Sequence, residues 1–191
     1  MKTAKAGVEA MTDAAHLERI FAEVFFSRWN TLLEGGGDEP VYLPATGHQP
    51  HHRIIYRDDY FASALHETAH WCIAGERRRQ LVDFGYWYNP DGRDRDQQRA
   101  FEQVEVRPQA LEWIFTSAAG RPFQLSADNL ASSDPDNRGP SPTFAADVLT
   151  QVRRWCVEGG MPERGTLFAR ALAQWSGAGD PLDPARYGYP E

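Results

Sequence analysis

The chain has 191 residues, with 20 Lys and Arg against 27 Asp and Glu and a formal net charge of −7; the length fits one domain with a sizeable core, and the acidic balance argues against a direct nucleic-acid binder. A mean hydropathy of −0.58 and the lack of any 18-residue apolar run exclude a membrane helix, and the lysine-containing N-terminus has no apolar stretch of a secretory signal. Cys72 and Cys156 are too few for a disulfide framework and form no CxxC pair, so the expectation is a soluble, cytoplasmic protein with no membrane partner.

Residues 1–11 read as a disordered leader, and 12–191 as a single domain. From Asp13 to Leu33, the residues Leu17, Ile20, Phe21, Val24 and Phe25 recur at helical spacing. Gly35-Gly36-Gly37 is the expected stop for that helix. Val41-Tyr42-Leu43 reads as a short strand and Arg53–Arg57 as a second, with His48, His51 and His52 in the polar loop between them. Asp58 or Asp59 is the expected cap of a helix to about Ala74, closed by Gly75. Leu81-Val82 and Phe84–Tyr88 suggest one or two strands, followed by a turn at Asn89-Pro90-Asp91-Gly92.

A helix from Asp96 is expected to stop near Arg107, because Pro108 disfavours helical backbone in the residue before it. Pro108 then opens another helix, ended by Gly120. Residues 126–142 are a polar loop in which Asp128-Asn129 reads as an Asx turn. Two further helices are opened by Pro142 and Pro162, with Trp155, Cys156, Leu167, Phe168 and Leu172 at core spacing. The fold class this implies is α/β (α+β), a small mixed sheet with surrounding helices.

One motif carries chemistry: His66-Glu67-Thr68-Ala69-His70, an HExxH. On a helix, positions i and i+4 share a face, so two imidazoles can grip one ion with the Glu beside them. A catalytic site needs a third ligand, and no histidine follows His70. Asp83, Asp91, Asp94, Glu102 and Glu105 are the nearest downstream carboxylates, and the 48–52 histidines are an upstream alternative. Spacing ranks these weakly. With zinc, such a site is a hydrolase of metalloprotease or ribonuclease type, and Glu67 is its general base. With iron(II), it is an oxygenase. The extended HExxHxxGxxH pattern is not met, since Ile73 and Glu76 stand at its glycine and final histidine positions.

The surrounding residues resemble the bacterial elongation factor P hydroxylase family. The resemblance rests on Asp38–Ala45, Tyr60–Gly75, Leu81–Tyr88, Pro90–Asp94, Phe101–Leu111 and Ser126–Leu130, with a looser match at Pro162-Glu163-Arg164. It implies hydroxylation of a lysine of elongation factor P that already carries a β-lysyl group. It also implies a compact α/β fold shaped like a small metal-dependent ribonuclease, and a metal triad of His66, His70 and Glu105. Iron(II) and dioxygen are the cofactor and co-substrate this implies. The ligand order differs from the HxD…His pattern of 2-oxoglutarate dioxygenases, so 2-oxoglutarate is not predicted. Glu67 then orients a ligand or bound water instead of acting as a base.

A substrate with two amino groups calls for acidic residues in its pocket. Asp83, Asp91 and Asp94 are candidates, with Tyr86, Trp87 and Tyr88 able to pack on the alkyl chain or the cation. Arg77-Arg78-Arg79 reads as a solvated charge run, and the 48–52 histidines as a polar loop.

Overall fold

The computed structural model describes residues 13–85, 91–127 and 129–188. The expected leader and the sequence Tyr86–Pro90 lie outside them. The first helix, α1 (Asp13–Trp29), buries Leu17, Ile20, Phe21 and Phe25 along the stripe that the sequence predicts. It ends four residues earlier than expected. Asn30 turns the chain at φ 48, a left-handed conformation that asparagine tolerates. Thr31–Gly37 then forms a strand, β1, so Leu32, Leu33 and the glycines belong to the sheet and not to a helix end.

The physical reason for that correction is long-range. β1 pairs in parallel with β3 (His52–Arg57), Leu33 opposite Ile54, and no local periodicity reports such a partner. Gly35 and Gly37 are needed there for space. A Cβ on Gly35 would lie 2.8 Å from the Tyr56 hydroxyl and 2.7 Å from the Asp58 carbonyl oxygen. Strand β2 (Val41–Leu43) completes a mixed sheet of order β1-β3-β2 by pairing antiparallel to β3.

Helix α2 (Phe61–Ile73) carries the HExxH motif, but neither Asp58 nor Asp59 caps it. Tyr60 precedes the helix without a side-chain cap, and Asp58 sits at φ 48 in the turn leaving β3. The other end is closed by a tertiary contact. Nη2 of Arg164 donates to the carbonyl oxygens of Trp71, Cys72 and Ala74 at 2.9, 3.0 and 2.7 Å. Those are orphan acceptors of a last helical turn, and Arg164 also stacks on the Trp71 ring.

Among the described residues, the stretch after α2 forms no strand. It has a 3₁₀ turn at Arg78–Gln80 and one isolated bridge from Asp83 to Tyr42. Leu81, Val82 and Phe84 are exposed, and Asp83 is held by a bidentate contact with Arg78.

The largest departure is at Pro108. Helix α3 runs unbroken from Arg95 to Ala118 with Pro108 inside it. An internal proline forfeits one backbone hydrogen bond and strains the preceding turn, at roughly 3 kcal/mol. Burial outweighs that here. Leu111, Ile114 and Phe115, just beyond the proline, are each 0% exposed, and α3 packs against α2 and the last two helices. Gly120, at φ 71, closes α3 as expected.

Helix α4 (Pro142–Glu158) has Ser141 as its N-cap and Pro142 in its first turn. Helix α5 (Glu163–Ser176) starts directly after Pro162. Trp155, Phe168 and Leu172 are buried, and Cys156 is half-buried and packed against the core, whereas Leu167 is exposed and leaves the expected core set. The core joins α1, α2 and α5 through an aromatic cluster of Phe21, Phe25, Trp71 and Phe168. The result is the mixed α/β class expected, with α2 packed on one side against β3 and on another against α3. No helix among the described residues is long and apolar enough to cross a membrane.

Candidate metal centre

The helical spacing of His66 and His70 places both imidazoles on the face of α2 that meets α3. Their Nε2 atoms are 3.0 Å apart. Glu105, on α3 and 2% exposed, directs its carboxylate between them. One of its oxygens lies 3.3 Å from His70 Nε2 and the other 3.8 Å from His66 Nε2. Ligand atoms of these three residues all fall within 4.8 Å of one another. Of the five carboxylates left open by spacing, Glu105 is the one that the structure brings to the histidines.

The other candidates sit elsewhere. Glu102 is committed to the start of α4, accepting from the Ser141 amide at 2.8 Å and from its hydroxyl at 2.7 Å. Asp94 forms a reciprocal capping box with Gln97 at the start of α3. Asp91 accepts from the Gly92 and Ala131 amides and ties two loops together. These contacts are structural, and neither Asp91 nor Asp94 lines the cavity that holds the triad. Asp83 lines a cavity that borders the centre. Tyr86 lies outside the described residues. His52 Nδ1 accepts from the Ala45 amide, and His51 bonds to Asn30, so the 48–52 loop supplies no ligand to the triad. Asn129 holds the backbone of Arg93 and Asn137, and Asp128 lies outside the described residues.

Two residues that sequence reasoning missed complete the site. Glu112 Oε2 is 2.9 Å from His66 Nδ1. A carboxylate at Nδ1 fixes the tautomer and leaves Nε2 free for an ion. Gln109 Nε2 lies 3.4 Å from Glu105 Oε2, while its own Oε1 accepts from the Ser126 amide at 3.1 Å. Glu105, Gln109 and Glu112 follow the i, i+4, i+7 pattern of one helix face. That signal was present in the sequence, but an expected break at Pro108 hid it.

The electrostatics are those of imidazoles and carboxylates held against one another. Burial works to raise the Glu105 pKa, but the charge and hydrogen bond of His70, then the charge of His66 and a hydrogen bond from Gln109, overcome it and bring the carboxyl down to about 2. Burial likewise opposes charging of His66, yet Glu112, then Glu105 and Glu67, hold its imidazole up at about 10. The Glu67 carboxyl is pushed up, mainly by burial. Two imidazoles and a carboxylate with open space on one side suit a divalent ion of iron or zinc type. The 3.0 Å separation of the nitrogens subtends about 90° at an ion bonded at roughly 2.1 Å.

Comparison with known proteins agrees with the resemblance drawn from the motifs. Residues 20–186 match a family profile described as elongation factor P hydroxylase. The elongation factor P lysine hydroxylase of Haemophilus influenzae is 45% identical over 168 residues, which cover 88% of this chain and 92% of that protein. The chain therefore belongs to the elongation factor P hydroxylase family.

Proposed function

We propose that this chain is a non-haem iron hydroxylase whose substrate is the β-lysylated lysine of elongation factor P. Family membership supports the hydroxylase activity and the protein substrate. The metal reading is carried by one observation, the convergence of His66, His70 and Glu105 with Glu112 behind His66. Iron(II) held there supplies dioxygen chemistry strong enough to replace an unactivated C–H by C–OH. The overall change consumes one dioxygen, two electrons and two protons, and it yields the hydroxylated lysine and water. A reductant outside the chain provides the electrons, and 2-oxoglutarate is not required. As a modifier of a translation factor, the protein works in the cytoplasm.

The chain's own residues prepare the site. His66 and His70 offer their Nε2 atoms to the ion, with Glu112 holding His66 through Nδ1. Glu105 supplies one negative charge, steadied by Gln109. Phe84, Phe101 and Pro40 give the surrounding cavity of about 470 Å³ an apolar rim, which limits water around the reacting carbon. The zinc hydrolase alternative assigns Glu67 as a base on bound water. Family membership weighs against it.

The test is mass spectrometry of β-lysylated elongation factor P after incubation with the protein, iron(II), a reductant and air. The expected result is a gain of about 16 Da, one oxygen, that is lost in His66→Ala and Glu105→Ala. No gain from protein shown to hold iron would overturn the reading and favour the hydrolase.

A further inference from the structure

A second cavity, of about 340 Å³, adjoins the one that holds the triad. The two share Glu67, His70 and Gly85. Its walls are largely apolar, with Tyr42, Ile54, Ile73, Val104 and Pro108 among them. The arginines that border it are engaged. Arg78 pairs with Asp83 and donates to the Gly85 carbonyl, Arg79 donates to the Ala74 carbonyl, and Arg107 lies over the Trp155 ring. Glu67 differs from them. Among the described residues its carboxylate has no hydrogen bond and no ion pair, although it stands where the two cavities meet. A half-buried carboxylate with no hydrogen-bond donor favours a cationic ligand, since desolvation costs it water contacts that the nearby imidazoles do not replace by hydrogen bonds.

We propose that this adjoining cavity receives the aminoacyl extension of the substrate lysine, with its methylenes against the apolar wall and an ammonium group donating to the Glu67 carboxylate. The proposal rests on the β-lysyl reading above. A side chain lengthened by a second lysyl group has atoms on both sides of any carbon presented to the metal, so one compartment cannot hold all of it. The triad cavity takes the stem that leads back to the protein surface, and the second cavity takes the remainder. Apolar walls with a carboxylate at the end, the bordering guanidiniums being held by Asp83, backbone carbonyls and the Trp155 ring, match a flexible alkylammonium. Glu67 is then a residue that selects the extended substrate, in addition to its place beside the ligands.

Calorimetric titration of metal-free protein with β-lysylated and unextended elongation factor P tests this without relying on turnover. The wild type is expected to bind the extended form about tenfold more tightly. Glu67→Gln removes the charge. Val104→Trp fills the cavity from a position 36% exposed, where a larger side chain can be accommodated without breaking the core. Each is expected to erase the preference for the extended form, and Glu67→Asp to restore part of it. A preference that survives in both Glu67→Gln and Val104→Trp would sink the pocket assignment even if the wild type hydroxylates the extended protein. Failure of wild-type hydroxylation, read separately by mass, would instead overturn the functional reading beneath it.

Discussion

His66 Nδ1 and Glu112 Oε2 are 2.9 Å apart, although 46 residues separate them in the chain. The contact bridges α2 and α3 and joins the HExxH helix to the helix that supplies Glu105. It leaves Nε2 of His66 as the nitrogen turned toward Glu105 and His70. Outer carboxylates of this kind typically contribute 10–100-fold to metal affinity. Glu112→Ala is therefore expected to weaken iron(II) or cobalt(II) binding by about that factor with the ligand set intact. Anaerobic titration followed by absorbance would measure it. An unchanged affinity would show that α2 packing alone orients His66.

Metal binding should depend on pH with a definite sign. His66 ligates as the neutral imidazole, and in the metal-free protein its pKa is held at about 10, with Glu112 outweighing the effect of burial. Protons therefore compete with the ion below that value, and each unit of falling pH should weaken binding about tenfold. The stability of metal-free protein moves the opposite way on that side. The raised His66 pKa contributes stability that is complete below the ordinary value of 6.5 and is lost as pH rises toward about 10. For Glu105 the sign reverses: its contribution is complete above 4.5 and is lost as pH falls toward about 2. Melting temperatures of stripped protein across this range should fall at both ends, and Glu105→Gln should flatten the acid limb.

Arg164 closes α2 by donating to three carbonyls of its final turn, one turn from where His70 projects. Replacing it with Met leaves those acceptors buried and without their donor. Arg164→Met is expected to cost about 2–4 kcal/mol of unfolding free energy, and the looser turn should also shorten metal retention. Urea unfolding and the rate of metal loss to a chelator would report the two effects. A stability loss with unchanged metal release would confine Arg164 to the fold.

Ser141 and Glu102 provide a contrast. Ser141 caps α4 through the Phe144 amide at 3.1 Å while its own hydroxyl donates to Glu102. Ser141→Ala should destabilise the protein by about 1–3 kcal/mol and leave metal affinity at the wild-type value. If metal binding falls in the folded variant, Glu102 takes part in the centre after all.

Much of the fold was legible because it depends on nearest neighbours along the chain. The stripe of Leu17, Ile20, Phe21 and Phe25 buries as its spacing predicts. Gly120 ends α3 in the left-handed conformation, and Ser141-Pro142 opens α4. The histidine pair was equally legible, since an i, i+4 spacing fixes a shared helix face wherever the helix goes. The elements misread are those whose partners lie far away. Thr31–Gly37 became a strand because β3 pairs with it, and α3 passed through Pro108 because the burial of its second half outweighs one lost hydrogen bond.

The sequence by itself determined the helical stripe, the histidine pair and, through the density of matching motifs, the family. Only the tertiary structure decided which carboxylates serve the centre. Spacing left five near-equal choices, because a carboxylate's role depends on what faces it across a helix interface. Packing α3 against α2 brings Glu105 to the histidines and Glu112 behind His66, and it commits Glu102 to the start of α4. The unbroken helix carries Glu105, Gln109 and Glu112 on one face, and the proline that hid this pattern is buried within the same helix.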